Sequence, residues 1–229
     1  MARRVLLVCG ILSSLLYVAM NVVVPMRWEG YSSLAQTVSE LSAIAAPTRS
    51  LWVSLAIPYT LLVAAFGVGV CQSADQNRRL RIAGGLLIAY GVVGAGWLFA
   101  PMHLREALAA GGSTLSDTMH IVFAMVTVAI MLLAIGFSAA ALGQRFRLYS
   151  IGSMVILAAC GALTVPDALR MQANLPTPWV GLWERINIGV FLLWVVALAV
   201  AVWPPGHAEP HLQSLSSSPT PAIPGRPQR

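Results

Sequence analysis

The sequence contains no lysine, and only eight acidic residues stand against its arginines. Charged residues make up 10% of its 229 positions, far below the roughly 25% of soluble domains. That shortage leaves no room for a water-soluble domain. Cysteine is scarce too: Cys9, Cys71 and Cys160 each fall inside an apolar run and at none of the short metal-ligand spacings. A disulfide framework and a cysteine-based metal site are therefore excluded, and the three read as small core-like residues. No basic stripe with interleaved aromatics is present, so the net charge of +6 does not indicate a nucleic-acid partner.

What is present is hydrophobic sequence, 58% of the chain. Apolar runs long enough to cross a bilayer core of ~30 Å recur along nearly its whole length. They predict six spans, at about 5–24, 51–73, 82–100, 118–142, 148–165 and 186–203. The first run is longer than the ~7–15 apolar residues of a signal peptide and lacks a small-x-small cleavage site, so it is expected to remain as a span. Pro58 sets a kink in the second span. Gly91 and Ala95 in the third form a small-x-x-x-small pair that admits a neighbouring helix at close range. From 204 to 229 proline, serine and glycine dominate, which predicts a disordered tail containing His207 and His211.

Arginine placement orients the chain. Arg3, Arg4, Arg78, Arg79, Arg81, Arg145 and Arg147 lie on one set of faces with the single acid Asp75. The opposite set holds five arginines but six acids, Glu29, Glu40, Glu106, Asp117, Asp167 and Glu184. The positive-inside rule places both termini in the cytoplasm of a multi-pass protein of the inner (plasma) membrane. Its first partner is then the lipid bilayer itself. Oligomeric state has no signal in the sequence.

The first extracytoplasmic loop holds the longest mixed segment, 33–49. Ser33 and Gln36 fit a capping box, and Pro47 ends the segment. Leu34, Val38, Leu41 and Ala45 form one stripe, with Gln36, Ser39 and Glu40 opposite. A short amphipathic helix of roughly 20 Å, lying over the bundle, is expected. The fold class is thus all-α: a six-transmembrane-helix bundle with this helix in its first outer loop.

Six of the eight acids belong to the outer face, and several ionisable groups lie within a turn of apolar sequence, where burial is costly unless they are paired. Ser39, Glu40, His103, Asp117, His120, Glu184 and Arg185 form the candidate polar cluster, a site for a small molecule or a lipid headgroup. Asp117 and His120 are three apart and share a helix face. With His103 they supply ligand types suited to zinc with an open fourth position, although the same residues also fit a helix cap and a solvated histidine. Haem ligation by the two histidines is a poorer fit at the rim of the bundle. Ser39 lacks the glycines of a nucleophile elbow, which argues against a serine hydrolase. Glu40 and Arg185 are expected to pair and clamp the loop helix to the bundle.

Three function classes follow: a non-enzymatic membrane protein with an outward ligand pocket, a metal-dependent membrane hydrolase acting at the outer face, and a small transporter. The last lacks a mid-membrane charge and an evident repeat. Whether the chain is an enzyme stays open at this point.

Thr37-Val-Ser-Glu-Leu-Ser-Ala-Ile-Ala-Ala-Pro-Thr-Arg49 resembles the loop signature of the bacterial and archaeal membrane proteins grouped as domain of unknown function 998. Pro101, Asp117 with His120, and Gly181-Leu-Trp-Glu-Arg185 are similar to the same pattern, over about residues 5 to 203. The resemblance implies a six-span bundle and nothing about activity. Alkaline-ceramidase-like hydrolases, which use a serine, an aspartate and three histidines around zinc, have a histidine pair on a late span that this chain lacks.

Overall fold

The structure, a computed structural model, describes residues 1–173 and 175–204. The predicted tail and its histidines lie outside the described residues. Seven α-helices are seen among those described: α1 (Ala2–Val23), α2 (Arg49–Gln72), α3 (Arg78–Gly96), the short α4 (Arg105–Ala109), α5 (Leu115–Ala141), α6 (Gln144–Gln172) and α7 (Val180–Ala201). All except α4 are long and apolar enough to cross a membrane, with mean hydropathies of 1.8–2.6 over their most apolar windows. Turns of 3-10 helix extend α1 through Pro25–Arg27 and α3 through Trp97–Phe99. No strand occurs among the described residues, only an isolated bridge between Ile44 and His103.

The six long helices close into a ring. α1 packs on α2 and α7, α2 on α3, α3 on α5, α5 on α6, and α6 on α7. Inside, Leu7, Phe66, Leu87, Ile135, Trp194 and Leu198 are fully buried, and the Trp194 indole donates to Ser150 Oγ at 3.1 Å. Outside, Leu15, Val22, Leu61, Val92, Met125 and Leu193 are exposed. Apolar surface on this scale is a liability in water and the expected covering of a helix bundle in lipid.

The close approach expected in the third span exists, on a different set of small residues. A Cβ at Gly84 would meet the Gly67 carbonyl at 2.8 Å, and one at Gly91 would meet the Thr60 carbonyl at 2.8 Å, so α3 lies almost against the α2 backbone. Ala95 is exposed and takes no part in this contact. Pro58 is accommodated inside a continuous α2.

Two boundaries shift in ways that matter for the site. α6 continues to Gln172 through Pro166, so Asp167 and Arg170 sit on helix rather than in a loop. α7 begins at Val180, which places Glu184 and Arg185 inside the helix instead of before it. The first loop also departs from expectation: Ser39–Ser42 forms a single 3-10 turn, not an amphipathic α-helix running from 33 to 46. Its backbone carbonyls have other partners, described next.

Candidate ligand groove

The loop between α1 and α2 is organised around two guanidinium groups. Arg105, at the start of α4, donates from Nε to Glu40 Oε1 at 2.8 Å and from Nη2 to Glu40 Oε2 at 2.9 Å. Glu40 is fully buried, and it also accepts from the Thr37 amide at 2.7 Å and the Thr37 hydroxyl at 3.2 Å. A carboxylate removed from water needs this full set of donors. Hydrogen bonding to Glu40 outweighs burial and raises the pKa of the Arg105 guanidinium. Arg105 further donates to the Ala35 carbonyl and the Thr177 hydroxyl. The loops before α2 and before α5, and the segment before α7, are thereby joined at one point.

Arg185 holds the same loop by its carbonyls. Its Nη1 donates to Ser33 O at 2.7 Å and Gln36 O at 3.1 Å, and its Nη2 to the Tyr31 hydroxyl at 2.8 Å. Burial pushes the Tyr31 phenol up to about 12, against the lowering effect of Arg185. The α7 amides of Gly181 and Leu182 donate to Leu34 O. Carbonyls 33 to 36 thus face α7 and Arg105 and cannot accept the i+4 amides of an α-helix, which is why the expected loop helix does not form. Near the expected capping box, the Ser32 amide donates to Gln36 Oε1 and the Ala35 amide to Ser32 Oγ, one residue earlier than predicted. The anticipated Glu40–Arg185 pair is replaced by two separate clamps: Glu40 with Arg105, and Arg185 with backbone oxygens.

Gly181 is required where the loop meets α7, since a Cβ there would fall on the carbonyl oxygens of Ser33 and Gln36. Nothing in its sequence neighbourhood signals that constraint.

Asp117 occupies the third position of α5, where it completes a capping box with Thr114 at the N-cap. Its carboxylate accepts from the Thr114 amide and hydroxyl at 2.8 and 3.0 Å, from the His103 amide at 2.7 Å, and from His103 Nδ1 at 2.9 Å. His120 turns elsewhere: its Nδ1 lies 2.9 Å from the Ala100 carbonyl, and its ring packs edge-on against Trp97 at 4.6 Å. A carbonyl only accepts, so Nδ1 carries a proton. Among the described residues no three His, Cys, Asp or Glu side chains converge as a metal site. The His103, Asp117, His120 set proposed for zinc therefore splits into a helix cap and a separately held imidazole.

Beneath the loop lie two adjoining volumes. A cavity of about 330 Å³ inside the ring is lined by Tyr59, Thr60, Tyr90, Trp97, Asn187 and others. A groove of about 1040 Å³ runs between α5 and α6, with apolar walls such as Met125, Leu132, Leu157 and Val165. Asp117, Thr118 and His120 contribute polar atoms to its loop end. Ser39, Ala124, Val128, Gly161, Thr164 and Glu184 line both volumes, so the groove and the interior cavity share a wall. Glu184, half-buried, accepts from the Val38 amide at 2.6 Å through one oxygen. Of the predicted cluster, Ser39, Asp117, His120 and Glu184 meet at the groove, while Glu40, His103 and Arg185 hold its roof and rim together. Arg105, Tyr31 and Asn187 were not among the candidates. Arg105 is the only arginine in the second loop, and a buried Glu40 demands a cation.

No curated protein and no solved structure matches the chain. One family model does, over residues 11–201, nearly the whole membrane region. The chain therefore belongs to the family described as Protein of unknown function (DUF998).

Proposed function

We propose that this polytopic membrane protein binds the polar head of a lipid or other amphiphile beneath the loop, with its apolar chain lying in the groove between α5 and α6. The observation that carries this reading is the shared wall of the two volumes. An acyl-sized apolar groove opens to the side of the bundle and leads to polar groups enclosed by a pinned loop. Ligand sites combine an apolar lining with a few convergent polar groups in this way. With both termini in the cytoplasm, as the arginine distribution predicts, the groove opens in the outer half of the membrane.

The test is occupancy. Gly161 lies at the junction, and a Cβ there would meet only Asn187 Nδ2, at 3.7 Å. Gly161→Leu therefore starts from a Cβ that meets no backbone atom and projects its side chain into the junction. Native mass spectrometry of the wild-type protein, purified from membranes in a mild detergent, is expected to show a retained amphiphile. The variant is expected to retain several-fold less at similar thermal stability. Equal retention in both proteins would overturn the reading.

A further inference from the structure

Resting on that reading, we infer that the occupant's head is a protonated amine, seated against Glu184 and Asn187 at the junction of cavity and groove. The argument begins with the cations that are absent there. Neither volume is lined by an arginine among the described residues. The guanidinium groups that hold the loop roof are engaged there: Arg105 with both oxygens of Glu40, and Arg185 through its two Nη atoms with loop carbonyls and Tyr31. A phosphate or carboxylate seated as the terminal group at the junction would find no arginine lining it, and it would face Glu184.

Acceptors, by contrast, are present on the cavity wall. Glu184 and Asn187 are three residues apart on α7 and share a face. One Glu184 oxygen takes the Val38 amide, and the other has no protein partner among the described residues. The Asn187 amide nitrogen donates to the Leu157 carbonyl at 3.0 Å, which leaves its oxygen as an acceptor on the cavity wall. Thr127 also contributes to the cavity wall, and its Oγ1 is buried without a hydrogen-bond partner. An ammonium group has three donors and no acceptor, so it matches this set of oxygens. Tyr59, Tyr90 and Trp97 add aromatic surface to the wall, which also favours a cation over an anion. A carboxylate with one open oxygen in a bundle interior is costly until a positive charge arrives.

Alkylammonium heads could come from an aminophospholipid of the bilayer or from a free long-chain amine. The experiment uses n-dodecylamine, dodecanol and dodecanoate, each titrated at pH 7 into the full chain in a neutral maltoside detergent and followed by native mass spectrometry. Dodecylamine is expected to bind about tenfold more tightly than dodecanol, the range for one hydrogen bond to a charged group. Dodecanoate is expected to bind weakest. Glu184→Gln is expected to bring amine and alcohol to within about twofold of each other while dodecanol binding persists. Nanodiscs of phosphatidylethanolamine against phosphatidylglycerol then separate the sources. Enrichment of bound phosphatidylethanolamine identifies a membrane lipid, and its absence alongside dodecylamine binding identifies a free amine. Equal binding of amine and alcohol by the wild-type protein, or preference for dodecanoate, overturns the amine assignment and leaves the groove reading standing. Binding of all three unchanged by Gly161→Leu overturns the groove reading itself.

Discussion

Separating Glu40 from Arg105 should loosen the loop as a unit, and the structure sets the size of the effect. Glu40 is fully buried, and the Arg105 side chain is only 14% exposed. Breaking a buried pair by removing one partner costs about 3–5 kcal/mol. Arg105→Gln leaves Glu40 with the Thr37 amide and hydroxyl and the Gln36 amide as donors, so the lower end, about 3 kcal/mol, is expected. Glu40→Gln keeps an acceptor of the same shape for Arg105, and its cost should be about 1.5–3 kcal/mol. Both substitutions delete the same interaction, so the double variant should be more stable than the sum predicts by about 2 kcal/mol. In a chain of this size that corresponds to about 4–8 °C in Tm. Tryptophan fluorescence during thermal unfolding in detergent reads it, because Trp28 packs against the loop core. A second cycle between Glu40 and Arg185 should be additive. Coupling below about 0.5 kcal/mol in the first cycle, or greater coupling in the second, would refute the two-clamp geometry.

Three further outcomes are expected. Gly181→Ala should lower stability by about 1–3 kcal/mol and open the first loop to protease, whereas Gly189→Ala, inside α7 with open space around it, should not lower stability and should leave the loop closed. Asp117→Asn should cost about 1–2 kcal/mol through the weakened capping box, and a chelator should leave the wild-type Tm unchanged; a Tm that falls with chelator would show a metal bridging His103 and Asp117. In a background lacking Cys9, Cys71 and Cys160, an exposed cysteine at Glu29 should react with an impermeant thiol reagent added to intact cells, and one at Gln144 should not. Labelling at Gln144 alone inverts the orientation.

The spans were legible in the sequence because run length and apolarity are one-dimensional quantities: a helix that must satisfy its own backbone in lipid announces itself locally. Their ends were less legible. The charges of Glu184 and Arg185 suggested that α7 starts after them, but Arg185 finds carbonyls and Glu184 finds the Val38 amide, so the helix accepts both inside its first two turns. The loop failed for a related reason. Leu34, Val38 and Leu41 do carry a helical period, and Val38 and Leu41 are buried as that stripe required. Period alone does not say where carbonyls 33 to 36 will find donors, and those donors come from α7 and from Arg105, on remote parts of the chain. The site shows the same division. Thr114-x-x-Asp117 ahead of an apolar run already spells the capping box, a local device that makes a metal role for Asp117 unnecessary. Arg105 lies 65 residues from Glu40, with nothing in the spacing to connect them. What could be argued without coordinates is the demand itself: a carboxylate buried beside a bilayer must be met by a guanidinium. Four outer-face arginines besides Arg185, namely Arg27, Arg49, Arg105 and Arg170, were available to Glu40. Arg49 sits seven residues beyond Ser42 and donates to that carbonyl at 2.6 Å, which ties down the loop's own exit. Arg105 is left as the base that reaches Glu40 from another loop, and so it is the one that can bind two loops into a single roof over the groove.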